Sequence, residues 1–251
     1  MARIRLDQLV VQNGLAASRE RARALILAGR VLANEQKVDK PGTPVDEATP
    51  LRMLGEDLRY VSRGGLKLEE ALKHWAIPVE GRWCLDIGTS TGGFTDCLLQ
   101  HGAAHVSTVD TGFGQVAMKL RQEERVRLYE RTNARLLAPG QLAAKAGEEP
   151  LTLMVMDVSF ISATLLLGPV LAAASAIREM VVLVKPQFEA GREFVRKGGI
   201  VRDEAGHRIA IDRVREAVAA LGGGAIEVID SPITGAEGNR EFLLHAGSAQ
   251  A

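Results

Sequence analysis

The sequence predicts an α/β protein in which a mostly parallel, doubly wound sheet follows a small N-terminal α+β domain. Short apolar segments alternate with amphipathic helical segments over most of the chain, as in a parallel sheet that helices cover on both faces. Several apolar segments end in a charged residue or a glycine-rich turn, as strands do at the ligand edge of such a sheet. The predicted parallel strands are 83–85, 106–109, 126–129, 151–156 and 180–184.

The C-terminal part and the chain length complete this prediction. An amphipathic helix over 202–221 precedes an antiparallel pair at 225–229 and 241–245, which brings the predicted sheet to seven strands. A chain of 251 residues suffices for one large domain and one small one. The predicted domain bounds are 1–54 and 61–251, joined by a polar linker at 55–60.

Composition and spacing argue against several classes of protein. The chain is 46% hydrophobic and 25% charged, which is ordinary for a globular protein. Cys84 and Cys97 have no metal-ligand spacing and the five histidines are scattered, so we expect no metal site. The N-terminus lacks a signal-peptide pattern, and polar residues interrupt the longest apolar stretch, 161–177. We therefore expect a cytoplasmic protein that does not span a membrane.

Zero net charge conceals a basic arm at the N-terminus. Residues 1–40 contain eight lysines and arginines against four acidic residues, whereas the rest of the chain contains 23 against 27. The apolar spacing predicts a helix that ends near Gly14, a second helix between Ser18 and Gly29, and a hairpin over 31–38. Arginines on a helix pair suit phosphate contacts, although a merely solvated amphipathic hairpin would carry the same charges. The residues expected to contact a polyanion are Arg3, Arg5, Arg19, Arg21, Arg23, Arg30, Lys37 and, in the large domain, Arg63.

The arm resembles the RNA-binding module of small-subunit ribosomal protein S-four, the alpha-L motif. The resemblance covers roughly residues 3 to 50. Asn34-Glu35 stands where that module often has Asn-Gly, so we expect the hairpin turn to differ in detail. The resemblance implies binding of structured RNA through shape and phosphates rather than through base reading. The matching segments are Arg5-Leu-Asp7, 14–22, 26–31 and Lys40-Pro41-Gly42.

A glycine-rich turn at 86–94 separates a predicted strand from a predicted helix. Its glycines allow a ligand to approach the backbone closely, but strict G-x-G-x-x-G spacing is absent and Asp86 would repel a pyrophosphate. A second strand ends at Asp110, where an acid can accept hydrogen bonds from ribose hydroxyls. The pattern looks like the S-adenosylmethionine (SAM) turn of class I, Rossmann-like methyltransferases; an ordinary α/β turn with a loop aspartate is the alternative. The predicted cofactor-binding residues are Asp86, Gly88, Thr89, Ser90, Gly92, Gly93, Phe94, Asp110, Asn133 and Asp157.

Two lysines and two acids from separate segments form a possible catalytic set. Lys67 stands in the first turn of a predicted helix, where a lysine opposes the helix dipole, and Lys185 directly follows an all-apolar strand. Asp157-Val-Ser-Phe lacks the double proline that amine methyltransferases commonly show after the fourth strand. The set resembles that of FtsJ-type ribose 2′-O-methyltransferases, which implies Lys67, Asp157, Lys185 and Glu241 as catalytic residues. Lys185 is then the preferred acceptor of the hydroxyl proton and Lys67 the alternative.

The order of the motifs resembles the TlyA, or hemolysin A, family over nearly the whole chain. The resemblance implies a SAM-dependent enzyme that methylates cytidine 2′-hydroxyls of ribosomal RNA. It leaves open the target nucleotide, the assembly stage, the oligomeric state and the subunit, with the large subunit slightly favoured. After the RNA module, the matching motifs are Val-Ser-Arg-Gly-Gly-Leu-Lys-Leu, the turn at 86–94, Val-Asp-Thr-Gly-Phe-Gly-Gln and Lys-Pro-Gln-Phe-Glu.

Three other functions are compatible with parts of this pattern. A membrane-active hemolysin needs spanning or inserting segments, for which the sequence shows no candidate. A non-catalytic ribosome assembly factor with the same fold would not need the complete set of two lysines and two acids. A small-molecule methyltransferase would not need the basic arm. Assays of liposome leakage and of ribosomal RNA methylation separate the first alternative from the enzyme.

Overall fold

A computed structural model of the protein describes residues 3–54 and 59–248. The chain divides into two compact units, Met1–Asp57 and Leu58–Ala251. Most of the predicted linker at 55–60 lies outside the described residues. Separate clusters of buried apolar side chains form the cores of the two units.

The first unit combines two short helices with short antiparallel strands, and so confirms a small α+β domain at the N-terminus. Its elements are β1 (Arg3–Arg5), α1 (Leu6–Gln12), α2 (Arg19–Leu27), β2 (Val31–Ala33), β3 (Gln36–Lys37), β4 (Pro44–Asp46) and β5 (Leu51–Met53). Strand β2 pairs with β3 and with β5, and β1 pairs with β4. The pair of β1 and β4 is absent from the sequence prediction because three residues are too few to show an alternating pattern.

Local signals explain the second helix and the hairpin of this unit. Ser18 Oγ accepts a hydrogen bond from the Arg21 backbone at the start of α2, as predicted for a capping serine. Asn34 and Glu35 have φ angles of 52° and 59°, which is the two-residue turn that matches the twist of paired strands. The turn therefore keeps the backbone typical of Asn-Gly although glutamate occupies the second position.

The second unit contains a single large sheet with helices on both sides. Its 3-10 turns are Ala134–Leu136 and Arg192–Phe194. Its helices and strands are α3 (Gly64–His74), β6 (Trp83–Ile87), α4 (Gly93–Gln100), β7 (His105–Val109), α5 (Met118–Arg121), β8 (Val126–Tyr129), β9 (Leu153–Met156), α6 (Thr164–Ala173), β10 (Glu179–Val184), α7 (Pro186–Glu189), α8 (Glu204–Ala220), β11 (Gly223–Asp230) and β12 (Phe242–Ser248).

The sheet has seven strands in the order β11-β12-β10-β9-β6-β7-β8. Neighbours from β10 to β8 pair parallel, whereas β12 is antiparallel to both β10 and β11. Every residue of β7 and β9 is buried, as expected for strands that helices cover on both faces. The mostly parallel, seven-stranded α/β fold is thus confirmed. Among the described residues, no helix is both long enough and apolar enough to cross a membrane.

The strand order reverses between β6 and β9, and this reversal positions the site. Strands β7 and β8 follow β6 on one side, while β9 and β10 lie on its other side. In open parallel sheets, ligands bind in the crevice outside the carboxyl ends of the strands at such a reversal. The turn at 86–94 follows β6 and Asp157 follows β9, so both lie at this crevice.

Candidate active site

Two adjoining cavities open at the reversal point of the second unit. We call one, of about 550 Å³, the lysine cavity, because Lys67 and Lys185 line it. The other, of about 530 Å³, is the Asp110 cavity. Because they share part of their lining, the two cavities are neighbouring parts of one crevice. The shared residues are Gly88, Ser90, Asp157, Ser159 and Phe160.

The glycine-rich turn lets the loops after β6 and β9 approach each other. Gly88 has a φ of 85°, and a Cβ there would lie 2.4 Å from the backbone oxygen of Asp157. Only glycine fits this position without displacing the neighbouring backbone. Gly92, with a φ of 98°, precedes α4 in the left-handed region but lines neither cavity. The turn residues that line a cavity are Ile87, Gly88, Thr89, Ser90, Thr91, Gly93 and Phe94.

Asp110 connects the turn to the second cavity. It directly follows β7, and its Oδ2 accepts a hydrogen bond from Ser90 N at 2.8 Å. Its Oδ1 accepts one from Gly112 N at 2.6 Å. Asn133 lines the same cavity, and its Oδ1 accepts a hydrogen bond from Arg135 N at 3.0 Å. Both polar side chains are therefore fixed by backbone donors at the cavity wall.

Asp86 lies behind the cavities rather than in their lining. Its side chain is fully buried, and Oδ2 accepts a hydrogen bond from Thr95 Oγ1 at 2.6 Å. Oδ1 has no hydrogen-bond partner among the described residues. Burial raises the pKa of Asp86 to about 7; the charges of Asp157 and Asp110 act in the same direction, and the Thr95 hydrogen bond opposes them. A direct contact of Asp86 or Gly92 with a ligand stays a prediction.

Lys185 and Asp157 come together at the ends of adjacent strands. Lys185 follows β10 and Asp157 follows β9, which pairs with β10 in parallel. Lys185 Nζ lies 2.6 Å from Asp157 Oδ1 and donates a hydrogen bond to Ser159 Oγ at 2.8 Å. The ammonium group is thus held between a carboxylate and a hydroxyl group in the wall of the lysine cavity.

Lys67 and Glu241 form a second ion pair in the same cavity. Lys67 lies in the first turn of α3, and Glu241 directly precedes β12. Lys67 Nζ donates a hydrogen bond to Glu241 Oε2. The two side chains are only 9% and 2% exposed. The helix-start lysine is therefore a buried, paired group rather than an ordinary surface residue.

An exposed aromatic side chain stands at the border of the two cavities. Phe160 is 93% exposed and has a φ of 67°, a conformation that is rare for a bulky residue. Its ring centroid lies 5.7 Å from that of Phe188, which also lines the lysine cavity. The crevice thus presents an aromatic surface to solvent beside the two ion pairs.

Two of the predicted polyanion contacts in the first unit are fixed by a buried acid. Arg5 donates hydrogen bonds to both oxygens of Asp7, at 3.0 Å and 2.9 Å, and Arg19 donates one at 3.2 Å. Asp7 is fully buried, and the Arg5 hydrogen bond lowers its pKa. The two arginine side chains remain 48% and 51% exposed. They therefore combine a fixed position with access to solvent.

The other predicted polyanion contacts differ in their surroundings. Arg30 Nε donates a hydrogen bond to the backbone oxygen of Leu54 at 3.0 Å. Arg63, in the second unit, directly precedes α3 and lines the lysine cavity. The remaining residues lie on β1, α2 and β3, and they are Arg3, Arg21, Arg23 and Lys37.

Several residues of the crevice are missing from the sequence prediction. Ser159 and Phe160 follow Asp157 within one motif, and Gln187 and Phe188 follow Lys185 in another. Their position next to predicted site residues is the sequence signal that could have identified them. Glu237 lies in an irregular loop that carries no such signal. Among the described residues, no group of three His, Cys, Asp or Glu side chains could hold a metal ion. The unpredicted lining residues include Ser62, Thr111, Gly112, Gln115, Thr132, Ser159, Phe160, Gln187, Phe188 and Glu237.

Comparisons with known proteins identify the family. A model of the FtsJ-like methyltransferase family matches residues 60–248, and a model of the S4 domain matches residues 4–49. YqxC of Bacillus subtilis (strain 168) is 49% identical over 241 residues, which cover 96% of this chain and 84% of that protein. The 16S/23S rRNA (cytidine-2′-O)-methyltransferase TlyA of Mycobacterium tuberculosis (strain ATCC 25618 / H37Rv) is 43% identical over 243 residues, covering 96% and 89%.

A solved structure agrees with these matches. The "Putative hemolysin from Streptococcus thermophilus" is 42% identical to this chain, with a TM-score of 0.74, and the match covers 100% of this chain and 90% of that chain. At this identity, the similarity extends to sequence as well as to fold. The chain therefore belongs to the FtsJ-like methyltransferase family, whose cofactor is SAM, and carries an S4 domain at its N-terminal side.

Proposed function

We propose that the chain transfers a methyl group from SAM to the ribose 2′-hydroxyl of a cytidine in ribosomal RNA. The observation that carries this proposal is that Lys67, Asp157, Lys185 and Glu241 line one cavity beside the glycine-rich turn. A ribose hydroxyl is a poor nucleophile, and its proton must leave as the methyl group moves. The S4 domain and the relative named as an rRNA methyltransferase favour ribosomal RNA as the acceptor. That acceptor places the proposed activity in the cytoplasm.

The residues of the Asp110 cavity suit SAM. Its volume of about 530 Å³ lies within the usual range for small-molecule sites. Each Asp110 oxygen accepts one backbone hydrogen bond and keeps a lone pair that a ribose hydroxyl could use. Val158 and Leu166 add apolar surface to the cavity for an adenine ring, and Asp157 Oδ1 accepts no aligned hydrogen bond from the described residues. When bound, SAM supplies an electrophilic methyl group on a sulfonium centre.

Lys185 is the proposed acceptor of the 2′-hydroxyl proton. Asp157 and Ser159 hold its Nζ at one place in the cavity, so a hydroxyl group beside it would meet a fixed partner. To accept a proton, Lys185 must act as a neutral amine; it then receives the hydroxyl proton as the methyl group moves from SAM to the 2′ oxygen.

Lys67 and Glu241 supply electrostatic stabilisation in this proposal. As the hydroxyl proton leaves, negative charge develops on the 2′ oxygen, and a fixed cation nearby lowers its energy. Lys67 is such a cation, because its buried partner Glu241 restrains it. Glu241 thereby keeps Lys67 Nζ in the cavity wall rather than in solvent.

The mouth of the crevice suits an unpaired nucleotide. Sequence-specific RNA proteins commonly stack unpaired bases on aromatic side chains, and enzymes that modify a nucleotide withdraw it from its helix. Phe160 offers such a surface, with Phe188 beside it. Arg63 is exposed in the lysine cavity and suits a neighbouring phosphate. These residues favour a nucleic-acid acceptor over a small molecule.

Methylation of purified acceptors tests the proposal. Isolated large subunits, isolated small subunits and protein-free ribosomal RNA are each incubated with the chain and with SAM that carries a labelled methyl group. A 2′-O-methyl group blocks alkaline cleavage of the adjacent phosphodiester bond, so labelled, alkali-resistant dinucleotides that contain 2′-O-methylcytidine are expected from at least one acceptor. Label on a base, or no label on any acceptor, would contradict the proposal.

Two companion measurements complete this test. Mapping of 2′-O-methyl sites in ribosomal RNA from cells with and without the protein identifies the nucleotide and the subunit. Leakage of a dye from liposomes measures a membrane activity, and we expect none. Leakage in the absence of RNA methylation would favour a membrane-active protein instead.

A further inference from the structure

Glu189 is a buried carboxylate outside both cavities. It ends α7, the short helix that begins directly after Lys185, and it is only 2% exposed. Its Oε2 accepts a hydrogen bond from Ser162 Oγ at 2.5 Å, and its Oε1 accepts one from Ala163 N at 2.7 Å. Burial raises the pKa of Glu189, while the hydrogen bonds from Ser162 and Ala163 and the charge of Arg213 oppose that effect.

Ser162 and Ala163, the two donors, directly follow the segment that forms the border of the crevice. The five residues 157–161 line the Asp110 cavity, and three of them also line the lysine cavity. Lys185 contacts the start of this segment through Asp157 and Ser159. Glu189 contacts its end, so the loops after β9 and β10 are joined at two points. Because the segment is attached to the loop after β10 at both ends, Asp157 is restricted in how far it can move relative to Lys185.

The surroundings of Glu189 argue for a positional role. Among the described residues, no cation forms an ion pair with its carboxylate; Arg213 Nη1 donates instead to the Glu189 backbone oxygen, at 2.5 Å. A buried carboxylate that lacks an ionic partner costs stability relative to a neutral side chain of similar size. The hydrogen bond to Ala163 N lies at the start of α6, where Ala163 itself offers no side-chain cap and Ser162 Oγ accepts a hydrogen bond from Thr164 N at 3.2 Å; the helix dipole favours a negative charge there. The carboxylate is thus suited to holding the 157–163 segment.

We propose that Glu189 is a positioning residue for the methyl transfer: by binding Ser162 and Ala163, it keeps Asp157 and Ser159 in place around Lys185. This inference rests on the proposed function and deepens it. Leucine at position 189 could accept neither hydrogen bond, whereas glutamine could keep both, because its amide nitrogen can donate to Ser162 Oγ while its oxygen accepts from Ala163 N. Leucine would therefore release the end of the segment while the side chain keeps a similar size.

The test compares Glu189→Leu with wild type in single-turnover methylation at saturating SAM and RNA. We expect a rate loss of about 10- to 100-fold, in line with the cost of misplacing a reacting group by about 1 Å. Dissociation constants for SAM and RNA should stay within about twofold, so the loss would lie in turnover rather than in binding. A rate within about twofold of wild type would overturn the proposal.

Three further variants separate positioning from a general loss of stability. Val218→Ala removes fully buried apolar volume near Gly223, and it should lower the unfolding temperature without changing the turnover rate of the folded protein. Ser162→Ala removes one donor of the same contact. The double variant Ser162→Ala/Glu189→Leu should be no slower than Glu189→Leu alone. Additive effects in the double variant, or an equal slowing by Val218→Ala, would overturn the proposal.

A measurement that does not depend on methylation tests the role of Glu189 independently of the proposed function. Absence of methylation by wild type would refute the proposed function and would not by itself bear on Glu189. Nuclear magnetic resonance of the Lys185 ammonium protons reports whether Nζ is held by hydrogen bonds in the resting protein. We expect their exchange with water to be faster in Glu189→Leu than in wild type. Equal exchange rates would show that Glu189 does not position Lys185.

Discussion

Lys67 and Glu241 form a buried ion pair although 174 residues separate them in the chain. The pair connects the first helix of the methyltransferase unit to the residue that precedes its last strand. Two charges removed from water must compensate each other, because a buried charge without a partner is costly. The contact therefore links the stability of the unit to the charge pattern of the lysine cavity.

Replacing Lys67 with methionine should destabilise the protein, because Glu241 would be left buried without a cation. Breaking a buried pair in this way should cost about 3 kcal/mol in the free energy of unfolding. Denaturant unfolding measures this loss, and methylation should fall with it. The double variant Lys67→Met/Glu241→Leu should regain most of the stability but no activity. A stable Lys67→Met protein would show that the pair is not buried in solution.

Replacing Lys185 with alanine should slow single-turnover methylation at least about a hundredfold, because a general base typically contributes that much. SAM and RNA should still bind, since the side chain is expected to act on the hydroxyl proton. Lys185→Arg should rescue little, because a guanidinium cannot accept a proton at working pH. Lys197 is an exposed lysine and provides the matched control: we expect Lys197→Ala to leave the methylation rate unchanged. Near-full turnover by Lys185→Arg would make Lys185 an electrostatic anchor and Lys67 the next candidate for the base.

Replacing Asp110 with alanine should weaken SAM binding by about 1.5–3 kcal/mol, the usual value of hydrogen bonds to a charged acceptor. The structure adds a second reason for the loss, because the same carboxylate holds the backbones of Ser90 and Gly112. Titration calorimetry measures the affinity, and RNA binding should be unaffected. Asp212→Ala, on the exposed side of α8, serves as control. Unchanged SAM affinity in Asp110→Ala would remove Asp110 from the cofactor site.

Charge reversal on α2 should separate RNA binding from stability. Arg23→Glu should weaken binding to ribosomal RNA and lower the slope of log affinity against log salt by about one, because one phosphate contact is lost. Arg19→Glu should also lower the unfolding temperature, since it would place a carboxylate beside the buried Asp7. SAM binding should persist in both variants. Equal RNA affinity of Arg23→Glu and wild type would move the contact surface elsewhere.

Because of Asp86, the free energy of unfolding should decrease as pH rises from about 4 to about 7. In the unfolded chain its pKa is near 3.8, whereas burial raises it to about 7 in the folded protein. Between these values the folded state binds a proton that the unfolded state has released, and this advantage disappears as pH approaches the folded pKa. Denaturant unfolding without SAM across this range should show a shallower fall in Asp86→Asn than in wild type. Equal slopes would mean that Asp86 titrates normally.

Much of the fold could be predicted because burial on both faces requires nearly continuous apolar strands. Strand β8 has the predicted bounds, 126–129, and Ser18 caps α2 as expected. The pair of β1 and β4 could not be predicted, because its strands are short and distant in the chain. At the site, the loop residues Phe160 and Glu237 escaped prediction because they lie outside any periodic segment.

The sequence by itself determined which chemical groups stand at the strand ends. A helix-covered sheet requires apolar strands, so Asp110, Asp157 and Lys185 mark the points where strands stop and the ligand edge begins. Strands β9 and β10 are consecutive in the chain and adjacent in the sheet. The meeting of Asp157 with Lys185 therefore followed from the sequence pattern, while their roles stay predictions.

Only the tertiary structure decided the contacts that no local pattern specifies. Lys67 meets Glu241, Arg19 is fixed by Asp7, and Asp86 loses its contact with solvent. Each of these depends on how helices pack on the sheet or on each other, which brings distant segments together and excludes water. The periodicity of apolar residues shows which face of a helix or strand is buried. It does not show which polar group lies opposite that face on the neighbouring element. Packing therefore set the charge partners of the site and the raised pKa of Asp86, whereas local pattern set the residues of the site.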